Sequence, residues 1–338
     1  MSEDGEQMIT INDIAEKAGV AKSTVSRYLN GGSISQKTAD KIRKIIKETD
    51  YVPNHFAQSL KAKNSHMIGA IIPRLDSYAA SRILSGLETR LKERGYRLTI
   101  VNSNLEQARE IEALQHFQVT KMDGVVFMMT QFSKTIQDTI KGLELPVVAV
   151  GQESPLSDSI YFNEAKAGRL MADFLYQQGH RHLHFLAVTE DDPAVGRHRK
   201  YSLKERFLSY PGTTWQESMT GFRLDEAHQV TVDHILKTDT KLIVGATDML
   251  AIGAMRACLE AGLRVPQDMS IAGFGNHATG TAFYPRLTTI DYPYYQAGVM
   301  AADHVINRVQ SGKIEANIQM TTNLVVRESV LDLNQQSK

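Results

Sequence analysis

The chain has 338 residues, 42% of them hydrophobic, and a formal net charge of zero. This length suffices for two or three packed domains, and so apolar a composition excludes a disordered chain. A single cysteine, Cys258, excludes an intramolecular disulfide, and no apolar run reaches the ~20 residues of a transmembrane helix. The N-terminus lacks a signal-peptide pattern, so we expect a disordered tail over residues 1–8 and a cytoplasmic location.

Residues 10–29 predict two short helices around a tight turn. The apolar residues of the first helix recur at helical spacing: Ile11, Ile14, Ala15 and Ala18. Gly19 can take the left-handed conformation that ends a helix, and a second helix is predicted over 22–29. A third helix is predicted over 36–49, with Ser35 as its N-cap. Together these elements predict a helix-turn-helix domain over residues 9–52, suited to the DNA major groove.

Basic residues are concentrated between positions 17 and 47, where Asp40 is the only acidic residue. The basic residues of this stretch are Lys17, Lys22, Arg27, Lys37, Lys41, Arg43, Lys44 and Lys47. Such local basicity is expected where a protein contacts phosphates. The alternative is an ordinary solvated helix surface.

From residue 67 the pattern changes to strands that alternate with helices. Apolar strands are predicted over 67–72, 98–101, 124–128, 147–150, 183–188, 242–244, 270–274 and 288–290. Helices are predicted between them, over 82–94, 107–120, 134–141, 165–178, 224–236 and 250–261. This alternation predicts α/β architecture with two doubly wound parallel lobes in tandem. Ligands of such lobes bind at the carboxyl ends of the strands and in the cleft between lobes.

The chain resembles the LacI/GalR family of sugar-responsive transcription regulators over residues 10–331 or so. The resemblance rests on the helix-turn-helix, on residues 51–60, and on several core motifs. These motifs are Gly179-His180-Arg181, Arg197 with Tyr201, residues 247–253, Gly273-Phe274-Gly275 and residues 285–290. This chain differs from the usual family pattern at three positions. The family usually has Asp where this chain has Gly275, Asn276 and Asn163.

The resemblance implies a core similar to periplasmic sugar-binding proteins, with lobes that exchange strands near the end of the chain. We therefore expect a hinge helix and linker over 53–65 and an effector-binding and dimerisation core over 66–332. The N-lobe is expected over about 66–163 and 292–320, and the C-lobe over about 164–291 and 321–332.

Candidate DNA contacts follow from position and from the resemblance. Lys22 and Ser23 open the second helix and Arg27 lies one turn later, so we expect them at base edges, where Arg suits guanine. The alternative is contact with phosphates only. Expected backbone contacts are Thr24, Ser26, Asn30 and Tyr51. The resemblance implies a hinge helix that folds on DNA, with Leu60 in the minor groove and Ala57 small enough for two hinge helices to meet. Thr10, Asn54 and Gln58 complete the expected set.

One such domain makes few contacts, so we expect a homodimer on a palindromic operator. The C-terminal leucine-heptad helix of tetrameric family members is missing, which favours a dimer. An accessory corepressor protein stays an open partner that the residues do not identify.

Candidate effector contacts combine hydrogen-bonding groups with aromatic surfaces. They are Arg74, Asp76, Tyr78, Arg197, Asp248, Phe274 and Asn276. The resemblance places Arg197 and Asp248 against the effector, the alternative being structural ion pairs. Residues 73–77 resemble the corresponding stretch of trehalose repressors, which predicts that Arg74 binds the phosphate of a phosphorylated sugar. The alternative is that Arg74 pairs with Asp76.

No cofactor, metal site or catalytic centre is expected. Residues 273–278 fit a dinucleotide fingerprint only formally, and His180, His182 and His184 lack a Cys or acidic partner. The sequence therefore predicts a non-enzymatic, DNA-binding transcription regulator, a repressor of a carbohydrate-utilisation operon controlled by a sugar or sugar phosphate. A stand-alone sugar-binding protein, or a regulator that responds to a non-sugar metabolite, is the alternative.

Overall fold

The computed structural model describes residues 9–29, 32–49, 51, 64–312 and 317–335. The chain divides into two compact units, Met1–Ser65 and His66–Lys338, and each is described by itself.

The first unit contains three helices, α1 (Ile11–Ala18), α2 (Lys22–Leu29) and α3 (Gln36–Glu48). Their small core is built on Ile14, Val25 and Ile42, all fully buried. Gly19 ends α1 at φ 61°, a left-handed conformation that favours glycine, and turns the chain into α2. The predicted cap of α3 is confirmed, because the Ser35 hydroxyl accepts the Thr38 N–H at 3.3 Å.

The second unit contains two α/β lobes. The first lobe is formed by β1 (Met67–Ile72), α4 (Tyr78–Glu93), β2 (Arg97–Asn102), α5 (Gln107–Val119), β3 (Gly124–Met128), α6 (Lys134–Lys141), β4 (Val147–Val150) and β5 (Asp158–Phe162). The second lobe follows with α7 (Glu164–Gln177), β6 (His182–Ala187), a π-helical segment (Pro193–Arg199), α8 (Lys200–Leu208), β7 (Thr214–Met219), α9 (Leu224–Val230), a π-helical turn (Thr231–Ile235), β8 (Leu242–Gly245), α10 (Asp248–Glu260), β9 (Ser270–Phe274) and β10 (Thr288–Asp291). The chain then adds α11 (Tyr294–Ser311), β11 (Ile318–Met320) and β12 (Asn323–Val325).

Each lobe is built on one sheet. The first sheet has the order β11-β5-β4-β3-β1-β2, with parallel pairing throughout. The second has the order β12-β10-β9-β8-β6-β7 and is parallel except for the antiparallel pair of β10 and β12. The doubly wound architecture predicted from the sequence is confirmed, and both lobes present the carboxyl ends of their strands as candidate ligand-binding edges.

The chain passes between the lobes at three places, between β5 and α7, between β10 and α11, and between β11 and β12. On its return to the first lobe, α11 packs closely on α4. A Cβ on Gly86 would lie 2.0 Å from the Tyr295 carbonyl oxygen, and one on Gly298 would lie 2.0 Å from that of Ile83. Only glycine allows these two backbones to come so close.

Glu110 on α5 is a buried carboxyl group that makes the stability of the fold depend on pH. Its side chain is only 2% exposed, the Ser103 hydroxyl lies 3.4 Å from Oε1, and burial raises its pKa to about 7. Folding therefore favours the protonated form. The stabilisation that protonated Glu110 gives to the folded state is complete below the unfolded-state pKa, near 4.5. It is lost as the pH rises through about 7.

We expect Glu110→Gln to abolish this decrease of the unfolding free energy with pH, which amounts to up to about 3 kcal/mol between pH 4.5 and 7. Urea denaturation over this pH range measures it, with Glu112→Gln, an exposed residue of the same helix, as the control. A Glu110→Gln variant whose unfolding free energy keeps the pH dependence of the parent would contradict the assignment.

Candidate DNA-binding surface and ligand cleft

Helix α2 separates its buried and exposed residues cleanly. Val25 is fully buried and Leu29 half-buried, whereas Lys22, Ser23 and Arg27 are exposed. Thr24 and Ser26 are half-buried beside them. The side chains that the sequence assigns to base contacts thus lie together on the outer surface of the second helix, as a helix that enters a major groove requires.

Two other predicted contacts have structural partners within the first unit. The Thr10 N–H and hydroxyl both donate to the Asp13 carboxylate, at 2.6 and 2.7 Å, and cap α1. Tyr51 is 9% exposed and packs in the helical core, where burial raises its pKa. The remaining predicted contacts lie outside the described residues: Asn30, Asn54, Ala57, Gln58 and Leu60.

The eight basic residues between positions 17 and 47 are exposed, and two on α3 are paired along their own helix. Arg43 donates to Asp40 at 2.7 Å, and Lys44 lies 3.7 Å from Glu48. The other exposed basic residues are Lys17, Lys22, Arg27, Lys37, Lys41 and Lys47. Their charge gives the surface around α2 the positive character expected for contact with phosphates.

In the second unit a cavity of about 440 Å³ opens between the lobes at the carboxyl ends of their strands. Five of the predicted effector contacts line it: Arg74, Asp76, Tyr78, Asp248 and Phe274. Further aromatic walls come from Phe162, Phe222 and Tyr294. The size and the mixed apolar and polar lining are those of a small-molecule site.

Arg199 lies at the centre of the buried polar network of this cleft and is 3% exposed. Its Nε and Nη2 donate to the two Glu164 carboxylate oxygens, each at 2.8 Å, and Nη1 donates to the Ala246 carbonyl at 2.6 Å. The Tyr292 hydroxyl donates to the same carboxylate at 2.7 Å. Burial lowers the pKa of Arg199, but the charge of Glu164 outweighs it and holds the pKa well above its usual value.

Asp248 is the first residue of α10 and is 2% exposed. Its carboxylate accepts the Thr289 hydroxyl and the His277 N–H, both at 2.6 Å. A Cβ on Gly273 would lie 2.5 Å from Asp248 Oδ1, so glycine is required there. Burial raises the pKa of Asp248 to about 6.

Four contacts across the cleft connect the two lobes. The Tyr78 and His277 rings lie 4.0 Å apart, and the Tyr78 hydroxyl is 3.4 Å from the Asn276 carbonyl. The Arg74 guanidinium lies 4.5 Å from the centre of the Phe222 ring. Gln152 Nε2 lies 3.5 Å from Asp192 Oδ1. Both lobes therefore contribute to the walls that enclose the cavity.

The structure brings neither Arg197 nor Asn276 into this cavity. Arg197 is exposed, lies 3.9 Å from Glu190, and borders a separate groove beside α7 and α8. The Asn276 amide donates to Asp291 at 2.8 Å and accepts from Arg327 at 2.5 Å.

The place that the sequence assigned to Arg197 is taken by Arg199. The segment before α8 is π-helical and starts at Asp192, whose carboxylate accepts the N–H groups of Ala194 and Val195. The wider turn changes which residues face inward, and no periodicity in the sequence indicates it.

Arg74 forms an ion pair with Asp76 at 3.1 Å. This pair is the alternative that the sequence leaves open to phosphate binding by Arg74.

Within the described residues, no group of three or more His, Cys, Asp or Glu side chains could hold a metal ion. None of the helices in that part of the chain is long and apolar enough to cross a membrane.

A helix-turn-helix unit joined to a two-lobed α/β unit with a ligand-sized cleft defines the class of ligand-regulated DNA-binding proteins. Residues 10–54 match the family model for bacterial regulatory proteins of the lacI family, and residues 172–330 match a periplasmic binding protein-like domain. The sucrose operon repressor of Staphylococcus xylosus is 39% identical over 313 residues, which cover 92% of this chain and 97% of the relative. The chain belongs to the LacI family and is a DNA-binding transcriptional repressor.

Other relatives agree with this assignment. The ribose operon repressor of Halalkalibacterium halodurans is 29% identical over 333 residues, which cover 95% of this chain and 97% of the relative. Among solved structures, the lac repressor dimer bound to operator and the anti-inducer ONPF is similar, with a TM-score of 0.86 at 25% identity. The match covers 96% of this chain and all of that one.

Proposed function

We propose that this protein represses a carbohydrate-utilisation operon in the cytoplasm, and that a sugar bound in the core cleft controls its affinity for operator DNA. The observation that carries the proposal is the cleft itself, which sets aromatic walls beside buried carboxylates in a chain 39% identical to a sucrose operon repressor. Sugars have an apolar ring face, which packs on aromatic side chains, and many hydroxyl groups, which donate hydrogen bonds to carboxylates.

In this proposal the exposed surface of α2 contacts the operator. Lys22, Ser23 and Arg27 meet base edges in the major groove, with Arg27 placed for bidentate contact to a guanine. Thr24, Ser26, Asn30 and Tyr51 contact the backbone. Two copies of the chain on a dyad would contact the two halves of a palindrome. The hinge contacts proposed for Asn54, Ala57, Gln58 and Leu60 extend the contact into the minor groove.

The effector is proposed to bind between the lobes. Tyr78, Phe222 and Phe274 would pack against the sugar ring, and Asp248 would accept hydrogen bonds from its hydroxyls. Because both lobes line the cavity, a ligand there has a different affinity for different arrangements of the lobes. Such a ligand shifts the population of those arrangements, and through them the affinity for DNA.

The experiment is fluorescence anisotropy of the full chain on labelled DNA from upstream of its own gene, titrated with sucrose, fructose and glucose. We expect tight binding to this DNA, weak binding to a scrambled duplex, and a change in operator affinity of about 5-fold or more with one sugar. Phe222→Ala should raise the sugar concentration for half response at least about tenfold, because it removes an aromatic wall of the cavity.

The matched control is Tyr201→Ala, which removes an aromatic residue of the second lobe that does not line the cavity. It should leave the sugar response unchanged. Operator binding that no sugar alters, or equal effects of both variants, would refute the proposed site.

A further inference from the structure

We infer that Gly32 is a positioning residue for Arg27. It leaves open the space in which the Arg27 side chain lies, and so fixes the rotamer from which the guanidinium meets a base. The inference rests on the proposed function, since it assumes that Arg27 contacts a base of the operator. It goes further because it makes base recognition depend on a residue that lies outside α2 and has no side chain.

Gly32 lies against the stem of the Arg27 side chain. The three heavy atoms nearest to a Cβ built on Gly32 all belong to Arg27: Cγ at 2.5 Å, the carbonyl oxygen at 3.1 Å and Cδ at 3.5 Å. Carbon atoms pack at about 3.5–4.0 Å, so a methyl group cannot share this space with the Arg27 stem. Gly32 is exposed, so it is Arg27 rather than a packed core that limits the residue at position 32.

The backbone around Gly32 holds this close approach in place. The Gly32 N–H donates to the Arg27 carbonyl at 2.8 Å, a bond across five residues like the longer bond of a Schellman cap. Before this bond, Val25 anchors α2 in the helical core. After it, the Ser35 hydroxyl accepts the Thr38 N–H and fixes the start of α3. The chain on either side of Gly32 therefore has little freedom to move away from Arg27.

Tyr28, the next residue after Arg27, connects the same turn of α2 to α3. Its ring is half-buried and packs against the helical core. Arg43 on α3 interacts with the Tyr28 hydroxyl and donates to Asp40 at 2.7 Å. Because these contacts hold the last turn of α2, a clash at Arg27 would be relieved by its side chain and not by rotation of the helix.

A side chain at position 32 would therefore change the rotamer of Arg27. Because χ1 sets the position of Cγ, a methyl group 2.5 Å from that atom excludes the observed rotamer. Long side chains in helices have two common χ1 rotamers, so one main alternative remains for Arg27. That alternative carries the guanidinium several ångströms across the surface of α2. Bidentate contact to a guanine needs two aligned hydrogen bonds and would be lost.

The test is fluorescence anisotropy of the full chain on duplexes from upstream of its own gene, substituted one base pair at a time, and on random DNA. Gly32→Ala should weaken the base preference at least about fivefold at the position that Arg27→Ala relaxes. The affinity for random DNA should change less than about twofold, because phosphate contacts remain. Ser33→Ala, at the next exposed residue, is the control and should keep the base preference of the parent.

The double variant separates a clash with the side chain from damage to the backbone. Arg27→Ala removes Cγ, so adding Gly32→Ala to it should change the operator affinity less than about twofold. A loss as large in the Arg27→Ala background as in the parent would overturn the inference, because the fault would then lie in the backbone. A Gly32→Ala variant with the base preference of the parent would overturn it as well.

Failure of the proposed base contact has a different signature. If Arg27→Ala leaves every base preference of the operator intact, Arg27 does not contact a base, and the inference fails together with that contact. If Arg27→Ala relaxes one position and Gly32→Ala does not, the inference alone fails and the proposed contact stands.

Discussion

Arg199→Met is expected to lower the free energy of unfolding by about 3–5 kcal/mol, because it leaves the Glu164 carboxylate buried without its cation. The guanidinium also lies between the Phe274 and Tyr292 rings, 5.1 and 4.9 Å from their centres, so packing is lost with the charge. Urea denaturation of the full chain, followed by tryptophan fluorescence and circular dichroism, measures the change.

The matched control is Arg197→Met, two residues earlier on the same segment. Arg197 is exposed, 3.9 Å from Glu190, so its removal should change the stability by no more than about 0.5 kcal/mol. Adding Glu164→Leu to Arg199→Met should recover part of the loss, since the carboxylate that lost its cation is then removed as well. Equal stabilities of the Arg199 and Arg197 variants would refute the central place given to Arg199.

Arg27→Ala is expected to weaken binding to the operator by about 1–3 kcal/mol and to relax the base preference at one position in each half-site. The reason is the exposed position of Arg27 on α2, one turn after Lys22 and Ser23. Anisotropy on operator duplexes substituted one base pair at a time measures the effect.

Lys41→Ala is the control for Arg27→Ala. Lys41 is an exposed basic residue on α3. If it contacts a phosphate, Lys41→Ala should lower the affinity for operator and for random DNA by the same factor. If Arg27→Ala instead weakened both kinds of DNA to the same extent, Arg27 would be a phosphate contact and the assignment to a base would be wrong.

The central strands of both sheets could be predicted because a parallel strand buried on both faces is a continuous apolar run. Residues 67–72, 124–128 and 147–150 were predicted with the bounds that β1, β3 and β4 have. β7 was not predicted, because it lies at the edge of its sheet, is largely exposed and has a polar sequence. β11 and β12 have three residues each, too few for any periodicity.

The cleft could be predicted where it follows strand ends. Arg74 and Tyr78 come after β1 of the first sheet, and Asp248 after β8 of the second, so all three follow carboxyl ends of strands that face the cavity. Glu164 and Tyr292 lie on passages between the lobes, and only the tertiary fold brings them to Arg199. Arg199 itself depends on a π-helical segment, which no pattern of apolar residues specifies.

The most direct test of the account measures the effect of operator DNA on the affinity for the sugar. The affinity for the effective sugar is measured by calorimetry with and without saturating operator, and compared with the change that this sugar causes in operator affinity. Thermodynamic linkage requires the two ratios to be equal, and the account predicts a common value of about 5- to 150-fold. A sugar affinity that is the same with and without operator would contradict it.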